Sequence, residues 1–116
     1  MFNINNSLIE KGKTYNLSPI ATGGGCDFMW RGAGELVEMD GYDSYMIDLV
    51  LGSKADVGVS PDSLSEPSIV GCYIGDPEWQ DGIFINFDTA EEAMKFMASV
   101  ETADDIYNKN KTAKWY

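Results

Sequence analysis

Hydrophobic and polar positions alternate with a period of two along most of the chain and change to a helical period near its end. In "KTYNLSPIA" (13–21), Tyr15 and Leu17 fall on one side and Asn16 and Ser18 on the other, as in a strand. Pro19 has no N–H to give to a ladder, so it predicts a sheet edge or a bulge there. "CDFMWRG" (26–32) alternates more clearly, with Cys26, Phe28 and Trp30 on one face and Asp27, Met29 and Arg31 on the other. "SYMIDLVLG" (44–52) is the clearest strand, with Tyr45, Ile47, Leu49 and Leu51 sharing a face after a turn-like "DGYD". Residues 53–68 are rich in Ser, Pro, Asp and Gly without a sustained period. They read as a long surface loop with room for one helical turn after Pro61. "SIVGCYIG" (68–75) and "IFINF" (83–87) complete the strands, the second facing inward through Ile83, Ile85 and Phe87, with "DPEWQDG" connecting them.

The period changes at "DTAEEAMKFMASV" (88–100). Ala90, Ala93, Met94, Met97 and Val100 recur at helical spacing and form one apolar stripe. Asp88 or Thr89 would cap this helix, because Glu91 and Glu92 stand three residues beyond them, as a capping box requires. "ADDIYNKNK" (103–111) predicts a short second helix with lysines at its C-terminal end, where the macrodipole favours them. Strands joined by short turns and followed by one amphipathic helix predict an α+β fold. The expectation is a single domain over residues 1–108, an antiparallel sheet of about four to six strands with one main amphipathic helix on one face. A basic, aromatic C-terminal tail over 109–116 would dock on the acidic body, bind a partner or fray.

Charge changes what such a domain would bind. Nineteen acidic residues against eight basic ones give a formal net charge of −11, with no histidine. Eighteen of the acids lie between Asp27 and Asp105, a stretch whose only cations are Arg31, Lys54 and Lys95. Such a body repels phosphate backbones, which argues against direct nucleic-acid binding. It attracts basic protein surfaces, or it only keeps a small protein soluble. No apolar run approaches the roughly 20 residues of a membrane span. The start, "MFNINNSLIEKGK", lacks the pattern of a signal peptide. The expected setting is therefore the cytoplasm.

Candidate chemistry is sparse. Cys26 and Cys72 form no CxxC and have no histidine to complete a zinc set. Cys26 as a nucleophile would lack a base, and its neighbour Asp27 would oppose a thiolate. Both cysteines read as buried apolar residues. The run Gly23, Gly24, Gly25 leads into a strand rather than a helix, with no Lys-Ser/Thr after it, so it fails as a phosphate loop. It reads as a tight turn, or as a loop that offers bare amides, with Asp27, to a ligand or partner. Acidic pairs abound, but "DPEWQDG" lacks the ligand alternation of a calcium loop. No metal and no cofactor is expected, and no catalytic residue stands out. Trp79 between Glu78 and Asp81 reads as an interface anchor in an acidic rim or as a lid over the core. Asp40, Asp43, Asp76, Glu78, Trp79 and Asp81 are the candidate partner-binding residues.

The order "ATGGGC" turn, alternating strand, "VGCYIGD" strand and closing "FDTAEEAMKFM" helix resembles a group of small, uncharacterised bacteriophage-encoded proteins. These share an ATGGGC turn, a VGxY-like strand and a C-terminal EEA helix. The likeness covers roughly residues 14–98 and is specific only at residues 21–26; the lysine-containing tail departs from it. The resemblance implies a phage or prophage origin rather than an activity. It leads to the expectation of a non-enzymatic acidic inhibitor or modulator of a host protein in the host cytoplasm. The host protein would carry a basic surface, as nucleic-acid-binding and defence proteins do, and would be engaged by negative-surface mimicry of DNA. Two alternatives stay open. One is a small-molecule or nucleotide-sequestering protein, open to homo-oligomerisation, that uses Gly23–Gly25 with Phe28 and Trp30. The other is a structural, virion-associated protein.

Overall fold

The structure, a computed structural model, describes residues 3–21, 27–39, 41–56, 58–76 and 78–112. Five antiparallel strands follow one another in sheet order: β1 (Ser18–Ala21), β2 (Asp27–Met39), β3 (Tyr42–Ser53), β4 (Ser68–Ile74) and β5 (Ile83–Phe87). Three helices accompany them: α1 (Asn6–Thr14), α2 (Ala90–Ser99) and α3 (Ala103–Thr112). The α+β class is as expected, and the strands at 44–52, 68–75 and 83–87 fall where alternation placed them.

One face of the sheet makes the core. Met29, Ile47, Leu49, Leu51, Val70 and Ile85 are essentially inaccessible, and they pack with the apolar stripe of α2. That stripe, Ala90, Ala93, Met94, Met97 and Val100, is buried throughout. Leu8 from α1 and Ile106 from α3 join the same cluster, so all three helices lie on one side. Thr89 is the cap of α2, its side chain accepting from the Glu92 N–H at 3.1 Å. Asp105 caps α3 by accepting from the N–H groups of Glu101 and Thr102 at 2.8 and 3.0 Å. Those two backbone donors hold its carboxyl below the usual value.

Arg31 ties β2 to the helix layer. Its Nη1 donates to the carbonyl oxygens of Met97 and Val100 at 2.8 and 2.6 Å. These belong to the last turn of α2, where the helix has no amide partners left to offer. α2 has no basic residue of its own in that turn, so β2 supplies the positive charge that the macrodipole favours.

Several expectations need correction. α1 lies where no helix was expected, and it ends in a Schellman motif: Asn16 N–H donates to Lys13 O and Leu17 N–H to Gly12 O. Asn16 takes the left-handed conformation (φ 62°) that this motif needs. Tyr15–Leu17 is therefore a helix end, not strand, and β1 begins at Ser18. Pro19 sits on an edge strand, as expected. Tyr45 parts from Ile47: the β2–β3 register shifts between Ala33 and Leu36, and the Tyr45 ring lies against Trp30 and over Gly32. A bulge of this kind increases local twist and re-aims side chains. The helix expected over 103–111 is α3, with Lys109 and Lys111 in its last turn as expected. The loop after β3 is less superficial than expected, since Pro61 is fully buried and Leu64 packs on the core.

Cys72 lies in the core, 1% exposed, and burial pushes its thiol from the usual 9.0 up to about 12. In a chain carrying Cys26→Ser, the thiol is expected to stay unreactive towards Ellman's reagent at neutral pH until the protein is denatured. Because the unfolded chain gives up this proton first, the thiol costs no stability below its usual range. It lowers stability as pH rises from there towards 12. Rapid labelling of the native chain would contradict the assigned burial.

Candidate functional site: the second face of the sheet

Residues paired directly across antiparallel strands share a face, so the register fixes what lies opposite the helices. One row runs Trp30, Val50, Gly71, Phe84 and the next Gly32, Asp48, Tyr73. The surface is aromatic and contains glycines, with a single carboxylate near its centre. Among the described residues no helix packs on it, the helices all joining the core cluster on the other side.

The glycines shape this surface. A Cβ at Gly71 would come within 3.2 Å of both the Phe84 and Tyr73 rings, and one at Gly82 within 2.6 Å of Tyr73. At Gly32 it would overlap the Tyr45 ring. Rings thus lie down over bare backbone. Between them opens a slot of about 250 Å³, floored by Gly52 and Gly71 and walled by Phe28, Tyr73, Trp79 and Phe84. Val50 and Ile69 complete it.

Trp79 is brought there by its loop. Asp76 Oδ2 accepts from the N–H groups of Gln80 and Asp81 at 2.8 and 2.7 Å, and Trp79 N–H donates to Asp76 O. The turn so closed holds Trp79 at φ 56°, a left-handed conformation that costs a non-glycine residue about 1 kcal/mol or more. The indole stacks on Tyr73 at 5.6 Å with 14° between planes. Its Nε1–H donates to Asp48 Oδ2 at 3.1 Å, while Trp30 Nε1–H donates to Oδ1 at 2.9 Å. One carboxylate therefore braces two tryptophans from separate parts of the chain. Burial, and then the nearby charges of Asp76 and Cys72, raises the Tyr73 hydroxyl above its usual 10.0, so the phenol stays protonated in neutral solution.

Asp48→Ala is expected to leave both indole N–H groups without their acceptor and to cost about 1–2 kcal/mol of stability. The indole N–H signals of Trp30 and Trp79 should both move in an NMR spectrum of the variant. Movement of only one would refute the shared brace.

The structure brings four of the six candidate partner-binding residues together. Asp76, Glu78, Trp79 and Asp81 lie in the β4–β5 connection, Glu78 and Asp81 being exposed. Asp76 is spent on closing its own loop, and Glu78 accepts from Gln80 Nε2 at 2.9 Å. Asp43 is exposed near the start of β3, on the arm that passes this loop where Gly75 N–H donates to Met46 O. Asp40 lies outside the described residues. So do Gly23, Gly24, Gly25 and Cys26; their neighbours Ala21 and Asp27 are antiparallel partners. Asp27 accepts from Asn3 N–H at 2.6 Å, at the end of β2 away from the Trp79 loop. Asp27 and the acidic loop therefore lie at opposite ends of the sheet.

Asp48, Tyr73, Gly71 and Phe84 escaped the sequence reading. A signal was present: β4 is apolar at both alternating sets, Val70 and Cys72 inward, Ile69 and Tyr73 outward. A strand facing water on one side carries polar residues there. Among the described residues no three potential metal-ligating side chains gather, and no helix is long and apolar enough to cross a membrane. Comparison of the chain with models of protein families, with curated proteins and with solved structures gives no match.

Proposed function

We propose that this chain is a non-enzymatic binding protein that docks a basic protein surface on the open, aromatic face of its sheet. The uncovered slot beside Trp79 carries the reading. Trp, Tyr and Arg are enriched among the few residues that dominate the energy of protein interfaces, and here two tryptophans are held by one carboxylate. The net charge of −11 steers cationic partners and repels nucleic acid. In the phage setting suggested by the turn and helix motifs, the partner is a cytoplasmic host protein whose basic site would otherwise meet nucleic acid, and binding inhibits it.

Affinity capture from bacterial lysate tests this with two baits, the wild-type chain and Gly71→Leu, whose new side chain fills the slot. A partner retained by the wild type at low salt, released by high salt and missed by Gly71→Leu is the expected result. Equal capture by both baits would remove the sheet face from the account.

The slot also favours a second reading. Phe28 lines it, and Trp30 stands in the same row as Val50, Gly71 and Phe84 just outside the lining, so a planar molecule would find aromatic walls there. A thermal-shift screen of nucleotides and other planar compounds separates the two readings, since a specific ligand raises the melting temperature by mass action.

A further inference from the structure

We propose that the residue the partner places in the slot is an arginine, which makes the site a guanidinium receptor; this rests on the basic-partner reading above. The slot has a volume of about 250 Å³, room for one large side chain. Its walls are four aromatic rings, and no lysine or arginine among the described residues lines it. Aromatic faces carry negative potential and attract cations. The Trp79 indole is further enriched, because its N–H is hydrogen-bonded to the Asp48 carboxylate and donation to an anion pushes electron density into the ring.

Charge selects a cation over a neutral aromatic anchor. Asp48, outside the slot lining, accepts from the indole N–H of Trp79, so its negative charge lies within one hydrogen bond of a slot wall. Glu78 and Asp81 are exposed in the loop that carries Trp79. Flatness and hydration then select arginine over lysine. An ammonium is a compact, strongly hydrated charge that loses much by entering an apolar slot, whereas a guanidinium is planar, weakly hydrated and stacks on rings. The glycine floor at Gly52 and Gly71 leaves depth for the three-carbon stem.

The experiment titrates the full chain with two short glycine-spaced peptides of equal charge, one with arginines and one with lysines. Binding is read from the indole N–H signals of Trp30 and Trp79 by NMR at low salt. The expected result is about tenfold tighter binding of the arginine peptide, displacement of the Trp79 signal, and loss of that preference in Gly71→Leu. Phe84→Ala, which removes one exposed wall, should weaken the arginine peptide without unfolding the chain. Equal affinities with the Trp79 signal moved would overturn the arginine preference and leave the basic-partner reading standing. Binding of both peptides with Trp79 unmoved would overturn the slot as the cation site. Binding of neither would overturn the basic-partner reading as well.

Discussion

Arg31→Met is expected to lower the stability of the fold by about 2–4 kcal/mol, the loss of two hydrogen bonds from a charged donor in a partly buried setting. The guanidinium leaves β2 on its core side and reaches the carbonyl oxygens of Met97 and Val100. Methionine fills much of the same volume but donates nothing, so both oxygens at the end of α2 would be left to water or unpaired. For a domain of this size the melting temperature should fall by the order of 10 °C. Arg31→Lys keeps a charge near the helix end and should recover part of the loss. Thermal melts of the three chains give the comparison. Equal stability of Arg31→Met and wild type would show that α2 is held by its apolar stripe alone.

Gly71→Leu is expected to weaken partner binding about 100-fold, the loss of an interface hot spot, with stability falling by only about 1–2 kcal/mol. The contrast follows from where Gly71 points. Its position faces Phe84 and the far end of the Tyr73 ring on the open side, at 3.2–3.3 Å; Phe84 is exposed and can swing away, whereas Tyr73, stacked under Trp79, must shift with it. A leucine there occupies the slot. On the opposite face the same increase in volume would meet Met94, Met97 and their neighbours, already inaccessible, and overpacking would cost more stability with no effect on the slot. Titration of the captured partner against both chains, with a denaturant melt of each, separates the two effects.

Local rules that name single residues were the legible part of the sequence. Thr89 and the stripe from Ala90 to Val100 define α2 because a cap and a 3.6-residue period depend on neighbours in the chain. Tyr42–Ser53 and Ser68–Ile74 show as strands for the same reason. The site was less legible because it is made by register. Asp48 meets Trp30 and Trp79 only after β3 pairs with its neighbours and the 75–82 loop folds back. An isolated aspartate in an apolar run gives no sign that two indoles will converge on it. Trp79 itself was readable as an anchor or a lid, and it covers the outer face of the sheet rather than the core. The end of α1 was hidden by a motif that mimics alternation: Tyr15, Asn16, Leu17 and Ser18 follow the period of a strand, yet Asn16 turns left-handed and closes a helix.

Asp76 shows how an acidic cluster can mislead. Of the acids around Trp79, it spends its carboxylate on two backbone amides, so removing it would open the loop rather than test charge recognition. Asp81 and Glu78 are the carboxylates to vary when the salt dependence is tested.

Covalent footprinting of the chain, free and in complex with the captured protein, tests the binding face most directly. In the free chain the exposed rings of Tyr45 and Phe84 and the half-buried indole of Trp79 should be modified, and in the complex all three should be protected together. Tyr107 on α3, exposed on the helix layer, should be labelled equally in both. Protection of Tyr107 with Tyr45, Trp79 and Phe84 still labelled would place the partner on the helices and contradict the account.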